Sequence, residues 1–250
     1  INIVCCDAST LLKSTYDDYQ HVVGFSATLK PFHFYSQLIG LKEDAITAEF
    51  TSSFPKEKRK VLIIPQISTK FSERPRNYPR IALTIDKIAS LKQGNYFVFF
   101  PSFDFLEKVL DIFIPPEGFE ILCQKRSMKK DDIQFIFDRL RDVHKSYLIF
   151  AVQGGVFSEG VDYPGEMIIG AFIVGPPLPQ FDVNREKMRE YYEKYYASGF
   201  DFAYVYPAMA KTVQAAGRVI RSEKDKGIIV LLDNRFLHES YTKCMPQDWF

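Results

Sequence analysis

Two arginines and a glutamine near the end of the chain have the types and spacing of a polyphosphate-binding group. Arg218 and Arg221 follow Gln214 by four and seven residues, and in an α-helix such steps return to nearly the same face. Arg offers a rigid fork of donors and keeps its charge, so this stripe could bind a polyphosphate. Gly217 would let a neighbouring backbone approach. A solvated surface face is the alternative interpretation.

A second group of polar residues follows the apolar run 147–152. Its glycines, Gly160 among them, permit tight turns and a close backbone approach. Ser158 can donate to a phosphate, and the carboxylates of Glu159 and Asp162 could orient a ribose, a water or an arginine. A simple acidic turn would have a similar sequence.

Small hydroxyl residues follow two further apolar runs. Ser102 stands after residues 96–100 and opens a predicted helix, so it is first an N-cap; the same helix end could also bind a phosphate. Ser26 and Thr28 follow residues 21–25 and could lie between a nucleotide site and a second ligand. Taken alone, each of these signals is weak.

The elements that must position these residues alternate between strands and helices. Nearly continuous apolar runs predict strands covered on both faces, at residues 3–6, 21–25, 61–65, 96–100, 147–152, 167–174 and 228–232. Helical patterns lie at 103–112, 131–144, 185–197 and 208–221. This alternation predicts an α/β fold with a doubly wound, mostly parallel sheet and helices on both faces. The ligands of such sheets bind beyond the carboxyl ends of the strands, so we expect the four groups to share one face.

Composition narrows the functional classes. The 250 residues are 46% hydrophobic and carry a net charge of +1, so any nucleic-acid contact must use a local patch. The four cysteines match no metal-ligand spacing, which favours free thiols in a reducing compartment, the cytoplasm or a eukaryotic nucleus. No run of residues reaches membrane-spanning length, so no membrane partner is expected. The chain begins at Ile1, inside an apolar run, as a fragment of a longer polypeptide would.

In their order along the chain, these groups resemble the motifs of superfamily 2 helicases. Ser26-Ala27-Thr28-Leu29 resembles motif III, Phe99-Phe100-Pro101-Ser102 motif IV, residues 155–162 motif V and residues 214–221 motif VI. The XPD/DinG family of DNA helicases is the nearest resemblance. Two further runs also follow that family's pattern, Cys6-Asp7-Ala8-Ser9 and Leu232-Asp233-Asn234-Arg235-Phe236.

The resemblance implies a motor of two RecA-like domains, with ATP and Mg²⁺ between them and single-stranded DNA crossing both. Residues 1–29 would be the last part of the first domain and residues 30–250 the second domain. Arg218 and Arg221 would be arginine fingers and Gln214 a sensor of the terminal phosphate. The remaining residues fall into two implied sets: nucleotide-site residues Glu159, Gly160, Asp162 and Gly217, and DNA or coupling residues Ser102, Ser158, Ser26 and Thr28.

Three sequence motifs of the full family pattern are absent from this chain. It contains no Gly-x-x-x-x-Gly-Lys-Ser/Thr loop, no Asp-Glu-Ala-His-type site and no cluster of iron–sulfur cysteines. All three are expected upstream, in the missing N-terminal motor domain, so the isolated chain should not hydrolyse ATP. A catalytically silent nucleic-acid-binding or interaction domain, and an RNA or remodelling motor, are the alternatives.

Overall fold

A computed structural model of the chain describes residues 3–52, 55–142, 144–158, 163, 167–219, 222 and 224–249. Its six strands are β1 Arg59–Ile63, β2 Tyr96–Phe100, β3 Phe119–Cys123, β4 Ser146–Val152, β5 Gly170–Ile173 and β6 Gly227–Leu231. They form one sheet in the order β1-β6-β5-β2-β4-β3, and every pair is parallel. The predicted α/β fold with a parallel sheet is confirmed.

Eight α-helices accompany the described strands. They are α1 Ser9–Tyr16, α2 Phe32–Leu38, α3 Arg74–Ala89, α4 Phe103–Leu110, α5 Lys130–Leu140, α6 Val183–Tyr196, α7 Tyr206–Ala216 and α8 Glu239–Thr242. One turn of π-helix, Asp201–Val205, leads directly into α7.

The central strands are apolar along their whole length because both of their faces are covered. Along β2, Phe97 and Phe99 join the core on the side of α5, α6 and α7. Val98 and Phe100 join a second core on the side of α3 and α4. This alternation is the period of two expected of a strand. β2 and β4 are buried at every position, whereas the edge strand β1 alternates between half-buried and exposed residues.

Several predicted elements are wrong. Residues 3–6 and 21–25 form no strand, and their side chains are largely exposed, with Ile3 at 92% and Phe25 at 90%. β3 was not predicted, and α3 was not predicted either. The apolar face of α3 is regular, at Ile81, Ile85 and Ala89, but Pro79 stands inside the helix and interrupts the pattern that would indicate it.

The first 29 residues have few buried contacts with the remainder of the chain. α1 buries none of its residues. The firm attachment is at Asp7, whose carboxylate accepts hydrogen bonds from the hydroxyls of Tyr191 at 2.8 Å and Tyr196 at 2.6 Å. The hydroxyl of Tyr192 donates to the Cys6 carbonyl at 2.6 Å. The boundary between residues 1–29 and 30–250 stays a prediction.

Deleting residues 1–29 is therefore expected to change the thermal unfolding midpoint by no more than about 4 °C, the shift that about 1 kcal/mol causes in a domain of this size. Differential scanning fluorimetry measures it. A Tyr191→Phe, Tyr196→Phe double variant is the control, because it removes only the Asp7 contacts. A fall of about 10 °C or more on deletion would show that this segment is integral to the domain.

Candidate functional site

The connection that leaves β4 is held against α7 by a buried glutamine. The Gln153 side-chain amide donates to the Gly175 carbonyl at 2.7 Å and accepts from the Thr212 hydroxyl at 3.1 Å. Its backbone N–H donates to the Phe100 carbonyl at 2.9 Å. Gln153 thus joins the carboxyl ends of β2 and β5 to the middle of α7. Sequence reasoning assigned it no role, although a polar residue directly after a buried strand was a visible signal.

Beyond Gln153 the chain passes along α7 and meets Arg218. The Arg218 Nε donates to the Ser158 carbonyl at 2.9 Å, which fixes the orientation of the half-buried guanidinium. The structure thereby brings together two predicted site residues that are 60 positions apart in the chain. Ser158 itself is only 1% exposed, and its hydroxyl donates to the Gly155 carbonyl at 2.9 Å. In this conformation Ser158 has no surface to offer a DNA phosphate, and that role stays a prediction.

The helical stripe expected of residues 214–221 is wrong. α7 ends at Ala216, and Gly217 is its C-cap. The Arg218 backbone N–H donates to the Ala215 carbonyl, three residues back, so the chain is already in a tighter turn. Spacing along a helix therefore does not explain where the Arg218 side chain lies.

The close backbone approach predicted at Gly217 does not occur within the described residues, and its place in the nucleotide site stays a prediction. A Cβ there would meet only the Val213 and Gln214 carbonyl oxygens, at 3.3 and 3.6 Å, both in its own helix. No other backbone of the described residues comes within 4 Å. The close approach occurs instead at Gly227, the first residue of β6, where a Cβ would lie 2.2 Å from the Val219 side chain. The chain turns after α7 because Val219 is buried at this point.

The same contact locates Arg218 in the fold. Gly227 begins β6, so the turn that carries Arg218 lies near the amino edge of the sheet, on the α7 side. Ser102 follows the carboxyl end of β2. The expectation that all groups share the carboxyl edge stays a prediction, because Glu159, Asp162 and Arg221 lie outside the described residues.

The other predicted residues are placed as follows. Ser102 is the N-cap of α4, and its hydroxyl accepts from the Phe105 backbone N–H at 3.3 Å, so the capping role is confirmed. The hydroxyls of Ser26 and Thr28 lie 3.5 Å apart in an exposed turn. Gln214 is exposed on α7. Four further predicted residues lie outside the described residues: Glu159, Gly160, Asp162 and Arg221.

A buried ion pair locks the carboxyl end of β6 to that of β1. Arg235 binds the Asp233 carboxylate through Nε and a terminal nitrogen, both at 2.9 Å, and Asp233 is fully buried. Thr69, after β1, donates its hydroxyl at 2.6 Å and its backbone N–H at 2.7 Å to the same carboxylate. Burial raises the pKa of Asp233, but its bonds with Arg235 and Thr69 outweigh burial and hold that pKa below its usual value.

The described residues offer neither a metal-binding group nor a membrane-spanning helix. No three His, Cys, Asp or Glu side chains among them are grouped so that they could hold a metal ion, and we assign no residue here to Mg²⁺. None of the helices described has the length and apolar character needed to cross a bilayer.

Comparison with known proteins identifies relatives along nearly the whole chain. A family model described as "Helicase C-terminal domain" matches residues 85–250. The XPD helicase subunit of the general transcription and DNA repair factor IIH from Arabidopsis thaliana is 22% identical over 98% of this chain and 35% of its own length. The ATP-dependent DNA helicase DinG of Photobacterium profundum is 28% identical over 88% of this chain and 32% of its own length.

Solved structures agree with the fold. A structure titled XPD helicase superposes with a TM-score of 0.72 at 21% identity, covering 96% of this chain and 43% of that one. At this identity the match shows the fold alone. The chain spans about a third of the length of the curated relatives, 35% and 32% of the two described above.

Proposed function

The chain belongs to the helicase C-terminal domain family of XPD- and DinG-type proteins, and from that premise we propose that it is the second motor domain of an ATP-dependent DNA helicase. In this proposal a first RecA-like domain binds Mg-ATP, and the two domains close on the nucleotide while single-stranded DNA crosses both. The activity serves DNA repair or replication, in the cytoplasm, or in the nucleus of a eukaryotic cell.

The hydrogen bond between Arg218 Nε and the Ser158 carbonyl is the observation that carries the proposal. It joins the two segments that resemble motifs V and VI, and it orients a guanidinium on the side of the sheet opposite α3 and α4. A fixed guanidinium stabilises the charge that spreads over phosphoryl oxygens in the transition state without reorganising. We assign Arg218 as a finger toward the β- and γ-phosphates, with Arg221 as the second finger.

The other predicted residues have supporting roles in this mechanism. Gln214, exposed on α7, would sense the terminal phosphate. Glu159, Gly160, Asp162 and Gly217 would line the nucleotide cleft, and Asp162 or Glu159 could orient an arginine or a water. Ser26 and Thr28 would link nucleotide state to domain closure, and movement of the domains would shift the grip on the strand.

DNA-dependent ATP hydrolysis tests the proposal. In a protein that joins this chain to its first motor domain, we expect single-stranded DNA to raise ATP turnover at least about tenfold more than RNA of equal length does, a difference of about 1.4 kcal/mol. This chain alone, which contains no phosphate-binding loop, should show no measurable turnover. A coupled-enzyme ATPase assay measures both. Equal stimulation by RNA would favour an RNA or remodelling motor, and no stimulation by either would favour a silent binding domain.

A further inference from the structure

A basic and aromatic surface at the carboxyl end of β1 has no part in the site described above. It consists of Lys70, Phe71 and Arg74, between the end of β1 and the first turn of α3. Lys70 is exposed, and the Phe71 ring is 84% exposed. This large apolar ring follows Lys70 in the sequence, and the Arg74 guanidinium lies 5.4 Å from its centre.

The Arg74 guanidinium is held rigidly and is not neutralised. Its Nε donates to the Thr69 carbonyl at 3.0 Å, and its central carbon lies 5.4 Å from the Phe71 ring centre and 5.1 Å from that of Phe105. Across the described ranges, Arg74 has no carboxylate oxygen within 4.0 Å. A fixed, unpaired guanidinium is ready for an anion and needs little further ordering to bind one.

A second guanidinium lies beside that of Arg74. Arg235 donates to the Thr69 hydroxyl at 2.7 Å and the Arg74 Nε donates to the Thr69 carbonyl at 3.0 Å, so both guanidiniums are held at Thr69. Arg235 is compensated by Asp233, whereas Lys70 and Arg74 place two positive charges against the single carboxylate of Glu73 between them. The excess is local, in a chain whose net charge is only +1.

The surface adjoins the N-cap of α4. Phe105, whose ring lies against Arg74, donates its backbone N–H to the Ser102 hydroxyl at 3.3 Å. A path therefore runs along the carboxyl edge from Phe71 through Arg74 to Ser102. It lies on the α3 and α4 side of the sheet, away from Arg218.

We propose that Lys70, Phe71 and Arg74 form a subsite for single-stranded DNA, in which the two cations bind successive phosphates and Phe71 stacks on a base. This subsite rests on the proposed function, and it specifies which residues of the domain bind the single-stranded DNA. An exposed ring beside a fixed guanidinium and an exposed lysine matches single-stranded nucleic acid, whose bases are free to stack on a protein ring, whereas a duplex would present only its backbone. DNA and nucleotide then occupy opposite sides of the sheet, so a strand can be gripped without obstructing the nucleotide cleft.

Fluorescence anisotropy with a labelled (dT)20 strand tests this subsite in the two-domain protein, over a series of salt concentrations. We expect Phe71→Ala to weaken binding about fivefold or more, the loss of one stacked base, with an unchanged salt slope. Arg74→Gln and Lys70→Gln should each weaken binding and reduce the slope of log K against log[salt] by about 0.7, the loss of one phosphate contact on a single strand. Arg76→Gln is the matched control, because Arg76 is an exposed arginine on the same helix, and it should change binding less than twofold.

The outcomes separate this subsite from the proposed function. If the unmodified protein binds (dT)20 and Phe71→Ala, Lys70→Gln and Arg74→Gln all behave as Arg76→Gln does, the subsite is overturned and the helicase assignment stands. If the unmodified protein binds no single-stranded DNA, both are overturned. Because Phe71 is so exposed, we expect the Phe71→Ala variant to fold, and its thermal unfolding midpoint checks this. The test therefore remains valid even if the Arg74→Gln variant fails to fold.

Discussion

Replacing Arg218 by Ala is expected to lower ATP turnover of the protein that joins this chain to its first motor domain by about 10³-fold or more, the range that an arginine finger supplies. The hydrogen bond from its Nε to the Ser158 carbonyl orients the guanidinium before nucleotide binds, which is the preorganisation that stabilises charge in a transition state. Single-turnover measurement of phosphate formation after acid quench checks this, because it follows the chemical step separately from product release.

Two controls distinguish a finger from a structural arginine. Arg189→Ala removes an exposed arginine of α6 that pairs with Glu186 across one helical turn, so turnover should stay within about twofold. Arg218→Lys keeps the charge but loses the fork of donors and should remain strongly impaired. Turnover within about threefold of the unmodified protein in Arg218→Ala would show that this guanidinium is structural. Arg221→Ala is expected to have a similarly large effect if Arg221 is the second finger.

The parallel sheet could be predicted because its central strands carry an unmistakable pattern. β2 and β4 are apolar without interruption, which only a strand covered on both faces tolerates. β3 lacks that pattern, since it lies at the sheet edge, is only partly buried and contains Glu120. Residues 21–25 have the pattern but no strand, because a continuous apolar run forms a strand only where a neighbouring strand completes its hydrogen bonds.

The site was predictable as a set of residues but not as a geometry. The order of the motifs indicated that the segments of Ser158 and Arg218 belong together, and they do. Their contact depends on where α7 ends. Val219 is buried against Gly227 just after that end, and this tertiary contact cannot be predicted from the spacing of residues along a helix. The bond between Thr69 and Asp233 joins residues 164 positions apart, which no local pattern reveals.

The largest stability effect is expected for Asp233→Ala, which should lower the free energy of unfolding by about 3–5 kcal/mol. The substitution leaves the Arg235 guanidinium, about 9% exposed, without its counter-charge and leaves the Thr69 hydroxyl and N–H without their acceptor. With the Arg235 backbone N–H, which also donates to this carboxylate at 2.8 Å, four buried polar groups would lose partners at the junction of β1 and β6. Urea unfolding of this chain, followed by circular dichroism, measures the loss.

Asp104→Ala is the matched control, because Asp104 forms an Asp–Arg pair of similar length with Arg126, at 2.5 Å, but both side chains are more than half exposed. An exposed pair contributes about 0–1 kcal/mol, so the two variants should differ by several kcal/mol if burial is what matters. An Asp233→Ala loss as small as that of Asp104→Ala would contradict the assignment of Asp233 as the acceptor that holds the two strand ends together.

Acid should reproduce part of the same loss. The pKa of Asp233 in the folded chain lies below its usual value, since bonds with Arg235 and Thr69 outweigh the opposing effect of burial. Its carboxylate therefore contributes stability that is complete above the unfolded-state value of about 3.9 and is lost as pH falls through the lower folded-state pKa. Between pH 5 and pH 3, the free energy of unfolding should fall less in Asp233→Ala than in the unmodified chain. If the free energy of unfolding fell equally in the two proteins over this pH range, the pKa of Asp233 would be the same in the folded and unfolded chains. The pair with Arg235 would then not hold Asp233 ionised.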